Sequence, residues 1–286
     1  MSLQFLAVQL LNGLSFAALL FFLASGFTLI FGLMRIVNLA HGAYYLVGGY
    51  VALTTVVATG NFWLGLVAAP LAMAVTGLLT ERVLLRPIRG RELPEVLLTV
   101  GVAFVFADMA LEIWGGDPMS IPPPEYLRGG MDLGFVTYPR YRVFVMVCAL
   151  IVGALLFLLH SRTRYGAIVR AGVDDREMIG ALGIDIDRVF AGVFVFGSVL
   201  AGLAGVLGGG LLSLVPGADT EILLYSLAVV IIGGLGSLPG AVIGSLIVGL
   251  ADAFGRALAP ELSYFTLFAP MALILVLRPR GLLGSR

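Results

Sequence analysis

Apolar residues run along this chain in long blocks, separated by short segments that hold most of its arginines, aspartates and glutamates. A helix needs about 20 apolar residues to cross the hydrocarbon core of a bilayer. Stretches of that character cover residues 5–33, 43–58, 62–84, 96–114, 143–160, 189–212, 222–232, 241–258 and 264–277. The second and seventh are short, which predicts half-helices or re-entrant segments. The fold class expected is all-α: a polytopic transmembrane helix bundle of about eight or nine spans with discontinuous half-helices. No polar stretch is long enough to bury a core of its own, so residues 1–286 read as a single membrane domain. Residues 1–11 lack a basic n-region and lead into an apolar run longer than a signal-peptide core, so this run reads as a retained first span.

Composition strengthens that picture and removes several function classes. The chain is 60% hydrophobic and 12% charged, against about half and about a quarter in a soluble domain. Its 17 basic and 17 acidic residues cancel, which excludes the basic excess of a nucleic-acid binder. Every basic residue is Arg. Without Lys the chain cannot carry a standard ATP-binding P-loop or form a Schiff base on Lys. Cys148 is the only cysteine and the chain has two distant histidines, so neither an intrachain disulfide nor a metal cluster is expected. No catalytic triad or paired-carboxylate signature is present.

Arginine placement predicts direction through the positive-inside rule. Arg82, Arg86, Arg89 and Arg91 follow the third stretch, Arg162 to Arg188 separate the fifth and sixth, and Arg278 and Arg280 follow the ninth. These segments read as cytoplasmic, and the 115–141 loop, with Pro122, Pro123 and Pro124 extended, as external. Asp108 and Glu112 lie four apart on one face near the outer end of the fourth stretch. Such carboxylates usually face a cavity or partner, so they are candidates to line an outer vestibule, or an interfacial pair wet enough to need no partner. Asp252 and Arg256 have the spacing of a helix ion pair, and Glu81 is placed to pair with Arg82 or Arg86.

Gly numbers 38, as close helix packing in lipid requires. Two Gly-containing breaks, residues 34–42 and 233–240, read either as interfacial loops or as irregular backbone at membrane depth, which survives only where protein or water covers it. Residues 174–183 read as a short capped helix. Asp174 is a suitable N-cap and Glu177 stands at the capping-box position. Met178, Ile179 and Leu182 form an apolar face, and Gly183 suits the stop. With Asp175, this helix is either a plug for a groove on another protein or packs back on its own domain.

The order and spacing of several short segments resemble the permease subunits of branched-chain amino acid ABC importers, of the smaller, first type of the paired permeases. The likeness spans nearly the whole chain. It is carried by Val37-Asn38-Leu39-Ala40-His41-Gly42, Glu81-Arg82-Val83 with Arg86-Pro87, Gly166 through Arg170-Ala171 to Leu182-Gly183-Ile184, Asp187-Arg188-Val189, Gly233-Gly234-Leu235-Gly236-Ser237-Leu238-Pro239-Gly240-Ala241 and Arg278-Pro279-Arg280-Gly281-Leu282-Leu283-Gly284. The resemblance implies a multi-pass protein of the bacterial inner membrane that is not itself an enzyme. It implies three kinds of protein partner: a second, related permease, two cytoplasmic ATPases and a periplasmic solute-binding protein. No cofactor would be bound by this chain, since the partners use the ATP. Residues 161–188 would be the cytoplasmic coupling loop, with Asp174–Gly183 its ATPase contact, and 115–141 the periplasmic loop. Solute would pass Asn38, His41, Tyr44, Tyr45 and the second break at Gly233, Gly234 and Ser237. The family also serves urea, amides and aromatic acids. Asp108 and Glu112 fall where neutral or amide side chains are expected, which bears on the outer vestibule and the solute. A stand-alone secondary transporter or channel is the competing expectation.

Overall fold

The computed structural model describes residues 2–134, 136–174 and 180–284. Among the described residues ten α-helices carry the fold: α1 Leu3–Met34, α2 His41–Thr59, α3 Phe62–Leu79, α4 Glu92–Trp114, α5 Arg140–Arg162, α6 Arg164–Asp174, α7 Ile186–Leu211, α8 Ala218–Gly233, α9 Leu238–Leu258 and α10 Ser263–Leu277. Seven of them, α1 to α5, α7 and α9, are long and apolar enough to cross a membrane. At 1.5 Å per residue the 16-residue α8 reaches only ~24 Å, short of a ~30 Å core. It is the discontinuous element that the short apolar stretch at 222–232 predicts, whereas the short stretch at 43–58 belongs to the 19-residue α2, a full candidate span extended past both ends of its apolar run by His41, Gly42 and Thr59. The protein is an all-α, multi-pass membrane protein.

Local chemistry sets the ends of these helices. Ser2 caps α1, accepting from the Phe5 N–H at 3.2 Å. Arg35 ends it in the left-handed region, φ 57°, with its N–H donated to the Phe31 carbonyl. Gly60 closes α2 at φ 68°, and the Asn61 side chain at once caps α3 through Trp63 N–H at 2.9 Å. Only glycine takes such a left-handed turn without strain. Toward its end α3 loosens into a π-turn, Thr80–Leu85, and a 3₁₀ turn, Arg86–Ile88.

Helix α1 is the central post, packed on α9, α7, α5 and α8, while α7 packs on α2 and α3. Small residues make these crossings. A β-carbon on Gly205 would lie 2.1 Å from the Tyr45 carbonyl oxygen, and one on Gly249 would lie 2.6 Å from the Gly13 carbonyl oxygen. Backbones this close give dispersion contact that lipid cannot replace. The outer faces of α4 and α5 expose Phe104, Val105, Leu150 and Phe157, the apolar surface that a bilayer or a partner subunit covers.

The two ends of the bundle differ. At one, Arg86 and Arg89 of the α3–α4 connection reach Asp187 at the start of α7. At the other, a two-stranded antiparallel hairpin, β1 Gly130–Asp132 and β2 Thr137–Pro139, lies over α1. Residues 119 and 121 of that loop bond the backbone of Leu214 and Gly209. We call these the arginine end and the hairpin end.

Candidate solute cavity and helix breaks

The first break, between α1 and α2, is a buried turn. Asn38 accepts the Ala40 N–H through Oδ1 at 3.2 Å, and its carbonyl accepts the His41 N–H at 3.2 Å. Thr99 of α4 accepts the Leu39 N–H at 3.2 Å. His41 Nε2 donates to the Leu23 carbonyl at 3.0 Å, and its ring stands edge-on to Phe27. Tyr44 packs between Phe106 and Phe194. Asn38, His41 and Tyr44 are thus closed into the interior of the protomer, where they serve the backbone and the aromatic core.

The second break follows α8. Gly234 and Gly236 take φ of 105° and 80°, and Ser237 starts α9 by accepting the Gly240 N–H at 3.1 Å. The carbonyls of Ile232 and Gly233, which a helix end leaves without intrahelical donors, accept from Leu282 and Leu283, each at 2.9 Å. The two breaks sit close together: a β-carbon on Gly32, near the end of α1, would lie 3.1 Å from the Gly236 α-carbon.

At the hairpin end a cavity of about 790 Å³ opens between α1, α2, α5, α7, α8 and α9. Phe16, Tyr45, Leu211 and Ile222 form its apolar wall, and Arg142, Glu221, Asp252 and Arg256 bring its charge. Arg256 Nε donates to Asp252 at 2.9 Å, and the Tyr225 hydroxyl donates to Asp252 at 2.7 Å. The expected i,i+4 pair is present and is completed by a tyrosine from α8. Of the expected path residues, Tyr45 reaches this cavity.

Asp108 and Glu112 do not line it. Both are exposed on the outward face of α4 beside Phe104 and Ile113, away from the Arg142, Glu221, Asp252 and Arg256 side chains that line the cavity. The reason is rotational: their four-residue spacing puts the pair on one face, and the burial of Val102 and Ala110 turns the other face of α4 inward.

Around 161–188 the structure adds an element. Thr163 Oγ1 accepts the Gly166 N–H at 3.1 Å and starts α6 directly after α5. A β-carbon on Gly166 would lie 2.3 Å from the His160 carbonyl oxygen, so this elbow requires glycine. Asp174, expected to cap the start of a helix, is itself helical within α6. The Thr163 cap turns the chain helical earlier than an Asp174 start allows. Asp175, Glu177, Met178 and Ile179 lie outside the described residues. Beyond them Ala181 is helical, Leu182 is exposed, and Gly183 is left-handed at φ 78° with its N–H on the Gly180 carbonyl.

Glu81 pairs with Arg89, not with Arg82 or Arg86. The π-turn and the following 3₁₀ turn carry Arg89 back over the end of α3, which regular helix spacing does not anticipate.

A polytopic bundle with glycine-lined crossings, a discontinuous helix and a polar cavity at one end defines a membrane transport protein. The chain belongs to the family described as branched-chain amino acid transport system / permease component, whose profile matches residues 9–277. It is 31% identical to the high-affinity branched-chain amino acid transport system permease protein LivH of Escherichia coli K12, over 99% of this chain and 98% of that one. It is 30% identical to the corresponding permease protein BraD of Pseudomonas aeruginosa, over 96% and 95%. A second kind of permease, LivM of Escherichia coli K12, matches at 26% over 91% of this chain and 67% of that one.

Proposed function

We propose that this chain is the translocating permease subunit of an ATP-driven ABC importer for branched-chain amino acids, set in the bacterial inner membrane as half of a permease pair. The observation that carries the reading is the family match over residues 9–277. The likeness to both LivH and LivM supports a related but different chain as the second permease. With no Lys in the sequence, nucleotide hydrolysis is assigned to two partner ATPases below the membrane, and this chain is neither an enzyme nor the holder of a cofactor. A periplasmic binding protein delivers the solute.

In this reading residues 1–286 form one permease domain, the arginine end is cytoplasmic and the hairpin end periplasmic, with 115–141 the external loop. The loop at 161–188 is the coupling segment, and its exposed Leu182, together with Met178, seats in a groove of the ATPase. Solute enters by the cavity, passes Tyr45 and follows α8 toward the second break at Gly233, Gly234 and Ser237. Asn38, His41 and Tyr44 hold the first break in shape beside this route. ATP binding biases a two-state gate by pulling on α6 and α7.

The test is leucine uptake by the complete importer in proteoliposomes. Uptake is expected to require ATP and binding protein, and Met178→Asp with Leu182→Asp is expected to release the ATPase or leave hydrolysis without transport. Leucine movement by this chain alone, down a gradient and without nucleotide, would overturn the proposal.

A further inference from the structure

The cavity at the hairpin end holds two charges that its own ion pairs do not use up. Arg256 and Asp252 neutralise each other at 2.9 Å, and the Tyr225 hydroxyl bonds both. Arg142 has no such partner: among the described residues its guanidinium is bonded only to Asn12 Oδ1 at 3.0 Å and Ser15 Oγ at 3.2 Å, both neutral, with no carboxylate in ion-pair range. Glu221, largely exposed, has as its cation neighbour only Arg256, 3.8 Å away and already committed to Asp252. A cation and an anion are therefore left to face whatever fills the space.

The bond partners of Arg142 hold it in place. Asn12 and Ser15 also accept from the buried Tyr138 hydroxyl at 3.3 and 3.2 Å, so the hairpin pins the same pair of α1 side chains that hold the guanidinium. At the rim Ser213 has φ 72° and shares a hydrogen bond with Ser120 at 2.8 Å. A non-glycine residue in the left-handed region costs energy that only its surroundings maintain, and here it belongs to the cavity wall. Phe16, Tyr45 and Ile222 supply the apolar side.

We propose that this cavity is a receiving site for a zwitterionic, apolar α-amino acid, with Arg142 taking the α-carboxylate, Glu221 the α-ammonium, and the Phe16–Tyr45–Ile222 wall the side chain. A guanidinium suits a carboxylate because its planar fork offers paired donors. A solute with only one charge leaves the other protein charge unsatisfied, which is where discrimination arises. Because the volume exceeds that of one amino acid, water accompanies the solute and binding is weak, as a conducting route requires. The inference rests on the importer reading above and narrows it: urea and simple amides, which lack both charges, are poor occupants.

The experiment uses the complete importer in vesicles, with Cys148→Ser and Ala253→Cys placing a single thiol in the cavity and an impermeant maleimide as reporter. L-leucine is expected to slow labelling about threefold or more at a concentration above its Kd. At the same concentration, 4-methylpentanoate, which lacks the amine, and 3-methylbutylamine, which lacks the carboxylate, should leave the rate unchanged. Arg142→Gln should abolish protection and lower leucine uptake about tenfold, the worth of one charge-assisted hydrogen-bonded contact, while Arg142→Lys keeps part of both. If leucine fails to protect, or the single-charge analogues protect equally, in an importer that accumulates leucine, the site is wrong and the function stands. If the importer accumulates no amino acid at all, the function reading falls and takes this site with it.

Discussion

Arg89 and Asp187, 98 residues apart in the chain, form an ion pair that ties the α3–α4 connection to the first turn of α7. Arg89 also pairs with the buried Glu81 and lies over the Phe190 ring at 4.5 Å. Its guanidinium therefore joins three elements at the arginine end, next to the segment proposed to meet the ATPase. Removing one partner of a buried pair leaves an uncompensated charge, which costs about 3–5 kcal/mol. Arg89→Met is expected to lower the thermal unfolding midpoint in detergent by that order of stability. Arg86→Ala, which removes a half-exposed cation from Asp187, should cost less than about 1 kcal/mol. Equal effects of the two variants would show that Arg89 is not the central tie.

Two glycines should respond in opposite directions. Gly101, on an exposed face of α4, has open space where a β-carbon would stand, so Gly101→Ala is expected to stabilise by about 0.5–1 kcal/mol through reduced backbone freedom. Gly205→Ala meets the Tyr45 backbone instead. Backbone cannot rotate away as a side chain does, and overpacking of this kind costs about 1–3 kcal/mol. Paired unfolding measurements on the two variants check the sign.

Asp252→Asn keeps the shape of the cavity network and removes its buried anion. Arg256 then has only Glu221, at 3.8 Å, to answer its charge, so Arg256 and the bound amino acid's ammonium compete for one carboxylate. Leucine uptake is expected to fall about tenfold with assembly of the importer intact, since a charged hydrogen bond is worth about 1.5–3 kcal/mol. Unchanged uptake would place this network outside the transport route.

Gly166→Ala should separate transport from folding. The bundle core lies away from the α5–α6 elbow, but the added methyl would press on the His160 carbonyl and open the angle between α5 and α6. The expected result is a normally assembled membrane subunit with reduced ATP-driven uptake, checked by comparing ATPase co-purification and leucine accumulation on the same preparation.

Much of the bundle was legible in the sequence, because a span must be apolar over its whole length and nothing else makes such runs. The short stretch at 222–232 announced the discontinuous α8, and the spacing of Asp252 and Arg256 announced their pair. The site was less legible. Arg142 has no local sequence signal, since only the fold brings it over Asn12 and Ser15. Tyr225 joins Asp252, and Glu221 meets Arg256, through an α8–α9 contact that no local period encodes. Asp108 and Glu112 are rare carboxylates in an apolar stretch, yet helix phase turns them outward. Helix α6 has a local signal in Thr163 followed three residues later by Gly166, whose N–H the threonine caps.

The carbonyls of Ile232 and Gly233 find their donors in Leu282 and Leu283, which lie beyond α9 and α10 in the chain. During synthesis, α8 therefore enters the bilayer with its end unfinished. Until residues 282 and 283 emerge and fold back, water or the insertion machinery must serve those two oxygens. The second break is thus a joint sealed late, by a segment that follows every helix of the bundle.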